Sequence, residues 1–335
     1  MPSVESDDYY TMRACFELSN DSMPEAITNA LLIYNPTSGM KRHRRFAEIE
    51  HAVRILKESG ITAELAPTTG RFAARRIAKQ AVDQGRGMVI ACGGDGTINE
   101  IINGLAGSQV PVALLPAGTA NILAKELGIP WDIPQAARLI STGIIRRVAL
   151  GLAIPTGGNH SAALAETGRY FLCVAGAGPD GALVNAVDEG LKKRAGQLAY
   201  WAEGLRLIFR YRFPRIKIRS AGIDRQATII VVGRTAHYGG PFKITTGATL
   251  FEDSFEMLTN STRSRLRYLA CLPALWLGNI RQMKGIETWK AAEVICESNG
   301  TGPVYAQVDG EPIGPLPLIF RIVPDAISLV TPAPH

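Results

Sequence analysis

Residues Met88 to Glu100 read MVIACGGDGTINE, and the order of residue types in this stretch decides the fold. An apolar run of strand length, Met88 to Cys92, enters the turn Gly93, Gly94, Asp95, Gly96, Thr97. Ile98, Ile101, Ile102 and Leu105 then recur at helical spacing. The stretch therefore predicts strand, glycine turn, helix. Glycines admit backbone amides close to a ligand that a Cβ would exclude, and the amides and positive dipole end of a helix start favour phosphate. Asp95 would repel a polyphosphate unless a divalent cation lay between them, so the turn points to a Mg-nucleotide. An empty strand-to-helix connection is the competing reading of one such turn, and the neighbouring strands bear on it.

Ala30 to Tyr34 is a short apolar run stopped by Asn35, Pro36, Thr37, Ser38 and Gly39. An amphipathic helix follows, with Phe46, Ile49, Val53 and Leu56 expected on one face. A strand at Thr62 to Ala66 then closes on Pro67, Thr68, Thr69 and Gly70. A helix is predicted from about Ala73 to Gln84. Beyond the central stretch, Val112 to Leu115 forms a fourth strand, stopped by Pro116, Ala117, Gly118, Thr119, Ala120 and Asn121. The β-α alternation predicts a parallel sheet covered by helices. In such a sheet the carboxyl ends share one edge, where ligands bind. Four strands ending there in small, hydroxylated or glycine-rich turns argue against an empty connection.

From about Arg146 the alternation gives way to short β-prone runs: Arg147 to Ala153, Tyr170 to Ala175, Arg215 to Arg219, Gln226 to Val232, Phe255 to Thr259, Thr288 to Ile295, Val304 to Val308 and Leu318 to Val323. These predict a second, mainly antiparallel domain, interrupted by a helix at Leu198 to Tyr211. The expected division is a mobile extension over 1–27, an α/β domain over 28–145 and a β-domain over 146–331, whose last residues can pack back on the first domain. At 335 residues, 46% hydrophobic, with 34 glycines, the chain has ample material for two cores.

Five scattered cysteines (Cys15, Cys92, Cys173, Cys271, Cys296) show no metal or redox spacing. The opening residues lack the basic and apolar regions of a signal peptide, and no apolar run is long enough to span a bilayer, so a cytoplasmic protein is expected. A formal charge of +6, with basic clusters at Lys41 to Arg45, Lys192 to Arg194, Arg210 to Arg219 and Arg263 to Arg267, favours an anionic partner. Leu266 to Ile280, rich in Leu and Ala, carries Trp276 and is broken by Pro273. It fits a helix lying at an anionic membrane surface, and equally one packed on the β-domain core. At Asp309, Gly310 and Glu311 two carboxylates straddle a glycine after a strand, with period two placing them on one face. Such a pair suits a general base or a water-and-metal network, and an ordinary Asp-Gly hairpin has the same spacing.

These motifs resemble the diacylglycerol kinase-like lipid kinases, a family that includes soluble bacterial lipid kinases and the sphingosine and ceramide kinases. The matching pieces are NPTSG at Asn35 to Gly39, the Thr68 region, GGDGTINE at Gly93 to Glu100, LPAGTAN at Leu115 to Asn121, FLCVAGAGPDGALV at Phe171 to Val184, RAGQLAYW, VVGRTAHYGGPFKI at Val231 to Ile244, and VDGE at Val308 to Glu311. Together they cover residues 28 to 331. NAD kinases and phosphofructokinases share a GGDGT-like core, but LPAGTAN is more similar to the lipid kinases.

The resemblance implies a Rossmann-like α/β nucleotide domain facing an antiparallel β-sandwich across a cleft, with ATP and Mg2+ as cofactors. Nucleotide contacts are expected from Asn35, Pro36, Thr37, Ser38, Gly39, Thr68, Gly93, Gly94, Asp95, Gly96, Thr97, Ile98, Asn99, Glu100 and Thr119, with Thr69 able to replace Thr68. It implies Asp95, Asp309 and Glu311 as catalytic residues, Glu311 as the base, and Asp309 as the group that positions it or belongs to the Mg-water network. A second, structural Mg2+ is implied on main-chain carbonyls around Leu250, Asp253 and Phe255. Two departures from the family pattern accompany it: Asp253-Ser254 replaces Asp-Gly, and Val-Gly-Arg replaces Val-Gly-Asn. The expected acceptor is a lipid hydroxyl at an anionic membrane surface, diacylglycerol first and a ceramide or sphingoid base second. Peripheral membrane association follows, and no nucleic acid is called for. A soluble-substrate kinase of the NAD kinase type and a non-catalytic nucleotide- or lipid-binding protein are the competing functions. Homodimer formation stays open.

Overall fold

The computed structural model describes residues 27–39, 42–157, 168–186, 206, 209–239, 242–300 and 302–333. Residues 1–26 of the extension expected over 1–27, the Lys192 to Arg194 cluster, the RAGQLAYW segment and most of the predicted Leu198 to Tyr211 helix lie outside them.

Strands β1 (Asn29–Tyr34), β2 (Thr62–Pro67), β3 (Met88–Gly93) and β4 (Val112–Pro116) form a parallel sheet in the order β2-β1-β3-β4. The apolar runs of β3 and β4 are buried throughout, as expected for strands covered on both faces. The covering helices are α1 (Arg42–Glu58), α2 (Ala73–Asp83), α3 (Asp95–Leu105), α4 (Ile122–Glu126) and α5 (Ile133–Thr142). Alanines 73, 74, 78 and 81 form the buried face of α2. It lies so close to α3 that a Cβ on Gly104 would come within 2.4 Å of the Arg75 carbonyl. One expectation fails in α1: Phe46 is 52% exposed, while Arg45, Ile49, Ala52 and Leu56 face inward. Arg45 takes the inner position because its guanidinium donates to the Ala117 carbonyl at 3.2 Å and to Glu48 at 3.1 Å.

The second half is a sandwich of antiparallel strands. Its first elements are β5 (Ile144–Pro155), β6 (Arg169–Phe171), β7 (Val174–Ala177), helix α6 (Pro179–Ala186), β8 (Arg215–Ser220), β9 (Ile223–Ala227) and β10 (Ile229–Gly233). The hairpin β11 (His237–Gly239) and β12 (Phe242–Lys243), β13 (Phe255–Asn260) and helix α7 (Arg265–Trp276) follow. The series ends with β14 (Ile286–Ala291), β15 (Glu293–Asn299), β16 (Tyr305–Val308), β17 (Glu311–Pro315) and β18 (Leu318–Thr331). A six-stranded sheet, β14-β13-β10-β7-β16-β17, faces strands that continue the first sheet. Phe171 stacks on Phe255 and meets Phe320 edge-on between the layers.

Three runs expected as single strands each divide between the two sheets: Tyr170 to Ala175 into β6 and β7, Gln226 to Val232 into β9 and β10, and Thr288 to Ile295 into β14 and β15. At the second corner Thr228 is buried, and its hydroxyl bonds the carbonyls of Asn260 and Thr262. The polar groups of this corner are thus satisfied inside the protein, and the composition carries no mark of the bend. Strand β18 joins the halves: its first part pairs with β15, Leu329 pairs in parallel with Val112 of β4, and β5 runs antiparallel to it from Leu318 to Thr331. Across the interface, Glu126 at the end of α4 accepts from the N–H of Ala236 and lies 2.6 Å from His237 Nδ1.

Candidate active site

The strand order reverses between β1 and β3, and at that switch point the expected turns meet. Gly94 and Gly118 bring the turns after β3 and β4 into backbone contact: a Cβ on Gly118 would lie 2.5 Å from the Gly94 Cα. Gly39, at φ +72°, packs on the Ala117 carbonyl with no room for a side chain. Asn35 ties the first turn together, its Oδ1 accepting from the Thr37 N–H and hydroxyl at 2.9 Å and its Nδ2 donating to Thr97 Oγ1 at 3.5 Å. Ser38 N–H donates to the Asn35 carbonyl, and Pro36 and Thr37 are exposed. Thr68 N–H extends the β2 pairing by donating to the Tyr34 carbonyl at 2.9 Å, leaving Thr69 exposed beyond it. Thr119 is exposed at the crest of the fourth turn, which Asn121 braces by bonding both backbone groups of Gly118. No side chain caps α3 at Gly94. Its first-turn amides are thus available to an anion at the positive end of the helix dipole.

The acidic residues divide sharply by environment. Both oxygens of Asp309 are engaged: Oδ2 accepts from Asn99 Nδ2 at 2.8 Å and Leu172 N–H at 2.9 Å, and Oδ1 from the Cys173 and Val174 N–H groups at 2.9 Å. Burial pushes its pKa up while these donors pull it down. All four contacts are donors, so the site accommodates a carboxylate and offers no acceptor for an acid proton. Glu311 is the more open of the two, its side chain 29% exposed and 3.8 Å from Arg71 Nη2. Its Oε1 hangs over the start of α3, 3.8 Å from where a Cβ on Gly96 would be. Asp95 accepts from the Ile122 N–H at 2.7 Å, and burial foremost, with Asp309 also contributing, raises its pKa.

Asn99 and Asn103, one turn apart on α3, clamp the backbone of Tyr170. Asn103 donates to its carbonyl at 2.9 Å and accepts from its N–H at 3.0 Å. Arg169 Nη2 donates to Asn99 Oδ1 at 3.0 Å. Burial lowers the Arg169 pKa against the pull of Glu311 and Asp309, so a cation lies beside both carboxylates. Glu100 is engaged elsewhere, accepting from the N–H groups of Phe72 and Ala74 at the start of α2. Ile98 is buried and lines an adjoining cavity. Sequence reasoning missed Arg71 and Arg169. The available signal was their place in the chain: Arg71 follows the Thr68-Thr69-Gly70 turn, and Arg169 begins a strand entering the cleft.

The cavity, of about 480 Å³, starts at Asp95, Asn99, Asp309 and Gly310 and runs over the β7-β10-β13 face to the inner side of α7, at Tyr268, Cys271, Leu272 and Leu275. Its lining is apolar along most of its length. Asp180 is a buried exception, accepting from Gln307 Nε2 at 2.8 Å and from the Tyr238 hydroxyl.

Residues 29–153 match the diacylglycerol kinase catalytic domain, and residues 173–331 match the YegS C-terminal NAD kinase beta sandwich-like domain. The chain belongs to the diacylglycerol kinase-like lipid kinases. A Bacillus subtilis diacylglycerol kinase is 28% identical over 308 residues, 90% of this chain and 96% of that protein. A Mycobacterium tuberculosis diacylglycerol kinase is 28% identical over 303 residues, 89% and 93% of the two chains. A crystal structure of a diacylglycerol kinase from Bacillus anthracis superposes with a TM-score of 0.70 at 20% identity, covering 91% of this chain and 97% of that one. This lipid kinase therefore uses ATP and transfers phosphate to an alcohol.

The residues fit a nucleotide: the Gly94-Gly118 contact leaves a cradle that side chains would fill, and the uncapped start of α3 opens onto it. Among the described residues no three His, Cys, Asp or Glu side chains group as a metal site. Around the second expected metal position Leu250 and Phe255 are buried and Asp253 is exposed.

Proposed function

We propose that this lipid kinase phosphorylates the hydroxyl of diacylglycerol to give phosphatidic acid. The observation that carries the reading is the apolar cavity, which begins at the carboxylates beside the nucleotide turns and has the size of a site for a large apolar ligand. The names of the two bacterial relatives favour diacylglycerol as its occupant.

In this mechanism the turns at Asn35 to Gly39, Thr68, Gly93 to Thr97 and Thr119 bind and orient ATP. Asp95, together with the phosphates, would hold Mg2+, which would supply neutralisation of phosphate charge. Glu311 accepts the proton of the acceptor hydroxyl as its oxygen bonds to the γ-phosphorus and ADP leaves. Asp309 is a positioning residue: it pins the turn carrying Glu311 to the β6-β7 corner. Arg71 and Arg169 balance negative charge at the transferring group, where fixed charges act most strongly on the transition state.

The acceptor must be reached at a surface, and α7 supplies the means. Its inner side lines the cavity, while Leu266, Trp276 and Leu277 are 77%, 67% and 74% exposed. Arg263, Arg265 and Arg267 are exposed at its start. We propose that this end of the kinase rests on an anionic bilayer from the cytoplasmic side, with arginines on headgroups and Trp276 among acyl chains. The proposed contact is peripheral; no helix of the described residues is long and apolar enough to cross a membrane.

The test is transfer of labelled γ-phosphate from ATP with Mg2+ to diacylglycerol, ceramide and sphingoid bases in mixed micelles, with NAD as a soluble control. Label on diacylglycerol is expected. Label on a sphingolipid alone overturns the acceptor, and label on NAD alone overturns the lipid reading.

A further inference from the structure

The turn between β12 and β13 aims the carbonyl oxygens of Leu250, Glu252 and Ser254 inward, and Ala149 of β5 adds a fourth. Four converging carbonyls beside an acidic turn make a cage of hard oxygen donors, the type of site a divalent cation takes. Here a side chain fills it. Arg234, the first residue beyond β10, is 0% exposed. Its Nη2 donates to Ala149 at 2.9 Å and Leu250 at 2.8 Å, and its Nη1 to Ser254 at 3.2 Å and to Glu252. The carboxylates give a metal little help: Glu252 pairs with Lys290 at 2.6 Å, and Asp253 is exposed. The residues present do not fit a second Mg2+, because the guanidinium occupies the space and would repel the ion.

We propose that the guanidinium of Arg234 is a built-in cation that replaces the structural divalent ion of this domain, so that the fold of the Leu250–Phe255 turn is independent of metal. Of the guanidinium donors, Nε alone has no partner among the described residues. An arginine guanidinium stays charged at neutral pH. Substitution by metal chemistry and by a guanidinium differ in a testable way. A divalent ion must be acquired and can be stripped by a chelator, whereas Arg234 is covalently present as soon as the chain folds. The same residue reaches toward the active site, since its backbone N–H donates to the Cys173 carbonyl at 2.8 Å and the Cys173 N–H is one of those holding Asp309. The inference concerns stability and stands whichever lipid is the acceptor.

The experiment is thermal unfolding of the nucleotide-free full chain in EDTA and in millimolar MgCl2 or CaCl2, with metal analysis by mass spectrometry after dialysis against EDTA. The wild type is expected to melt at one temperature in all three and to retain less than a tenth of an equivalent of metal, roughly the level of trace contamination. Arg234→Asn opens the cage. It is expected to melt lower in EDTA by about 5–10 °C, on the scale of losing buried charged hydrogen bonds, and to recover part of that loss with added cation. Arg234→Lys, which keeps the charge with fewer donors, is expected to melt between the two and to ignore metal. A stoichiometric divalent ion in the wild type, or a fall in its melting temperature on chelation, overturns the proposal. If Arg234→Asn does not fold, the wild-type metal content and chelator response decide alone.

Discussion

Two carboxylates separated by one glycine sit in different environments, one saturated with donors and the other not, and the roles proposed for them follow from that difference. Glu311→Gln is expected to lower kcat by about 10²–10⁴-fold, the usual range for losing a general base, with ATP binding and melting temperature preserved. Asp309→Asn turns an N–H toward groups that all donate. It is expected to cost about 1–3 kcal/mol of stability, the scale of an unsatisfied buried polar group, read as a lower melting temperature along with lost activity. A normal melting temperature in Asp309→Asn contradicts the positioning role. Asp180 sets a pH dependence. Burial raises its folded pKa above the ordinary 3.8, so between those two values the folded chain holds more protons than the unfolded one, and stability falls as pH rises. In Asp180→Asn, the decline of unfolding free energy above pH 4, roughly the unfolded Asp value, is expected to be shallower. The sequence made Asp95 and the Asp309-Gly310-Glu311 triplet legible because a carboxylate among glycines is chemically conspicuous. Arg71 and Arg169 were not, since an arginine in a turn or at the start of a strand looks like any solvated one until the fold sets it near the carboxylates.

At the scale of elements, α3 and α7 carry the most consequence. The start of α3 faces the nucleotide turns, and one turn further along Asn99 and Asn103 seize the β6 backbone. The helix was readable from its isoleucines, but the amide clamp was not, because both asparagines pass for ordinary helix positions. Helix α7 lines the cavity on one side and exposes apolar residues on the other, and the proposed membrane contact belongs to the exposed face. Trp276→Glu is expected to reduce turnover on vesicles several-fold while leaving the melting temperature unchanged, and an unchanged rate argues against insertion. Charge reversal at Arg263, Arg265 and Arg267 is expected to weaken binding to anionic vesicles at low ionic strength, with the difference vanishing in high salt. The four parallel strands were legible nearly to the residue, β3 and β4 because buried parallel strands are uninterrupted apolar runs, and the edge strand β2 from the turn that closes it. The sandwich was legible as strands but not as two sheets, because a strand that turns a corner stays apolar on both sides of it.

For the molecule as a whole, β5 and β18 are the members that matter. They pair from Leu318 to Thr331, spanning the sandwich and reaching β4 of the first sheet. We therefore propose that the regions over 28–145 and 146–331 fold as one cooperative unit despite their separate cores. Residues 28–145 expressed alone are expected to expose the β4 edge and aggregate, and the full chain to melt in a single transition by calorimetry. A soluble, folded fragment that binds ATP contradicts this. The position of β18 also bears on how the protein is made. A ribosome delivers β4 well before β18, so the nascent first sheet waits with an open edge while the sandwich is synthesised. Chaperone contact during translation is accordingly expected to persist until the strand at Leu318–Thr331 clears the exit tunnel, and the kinase to become active only then.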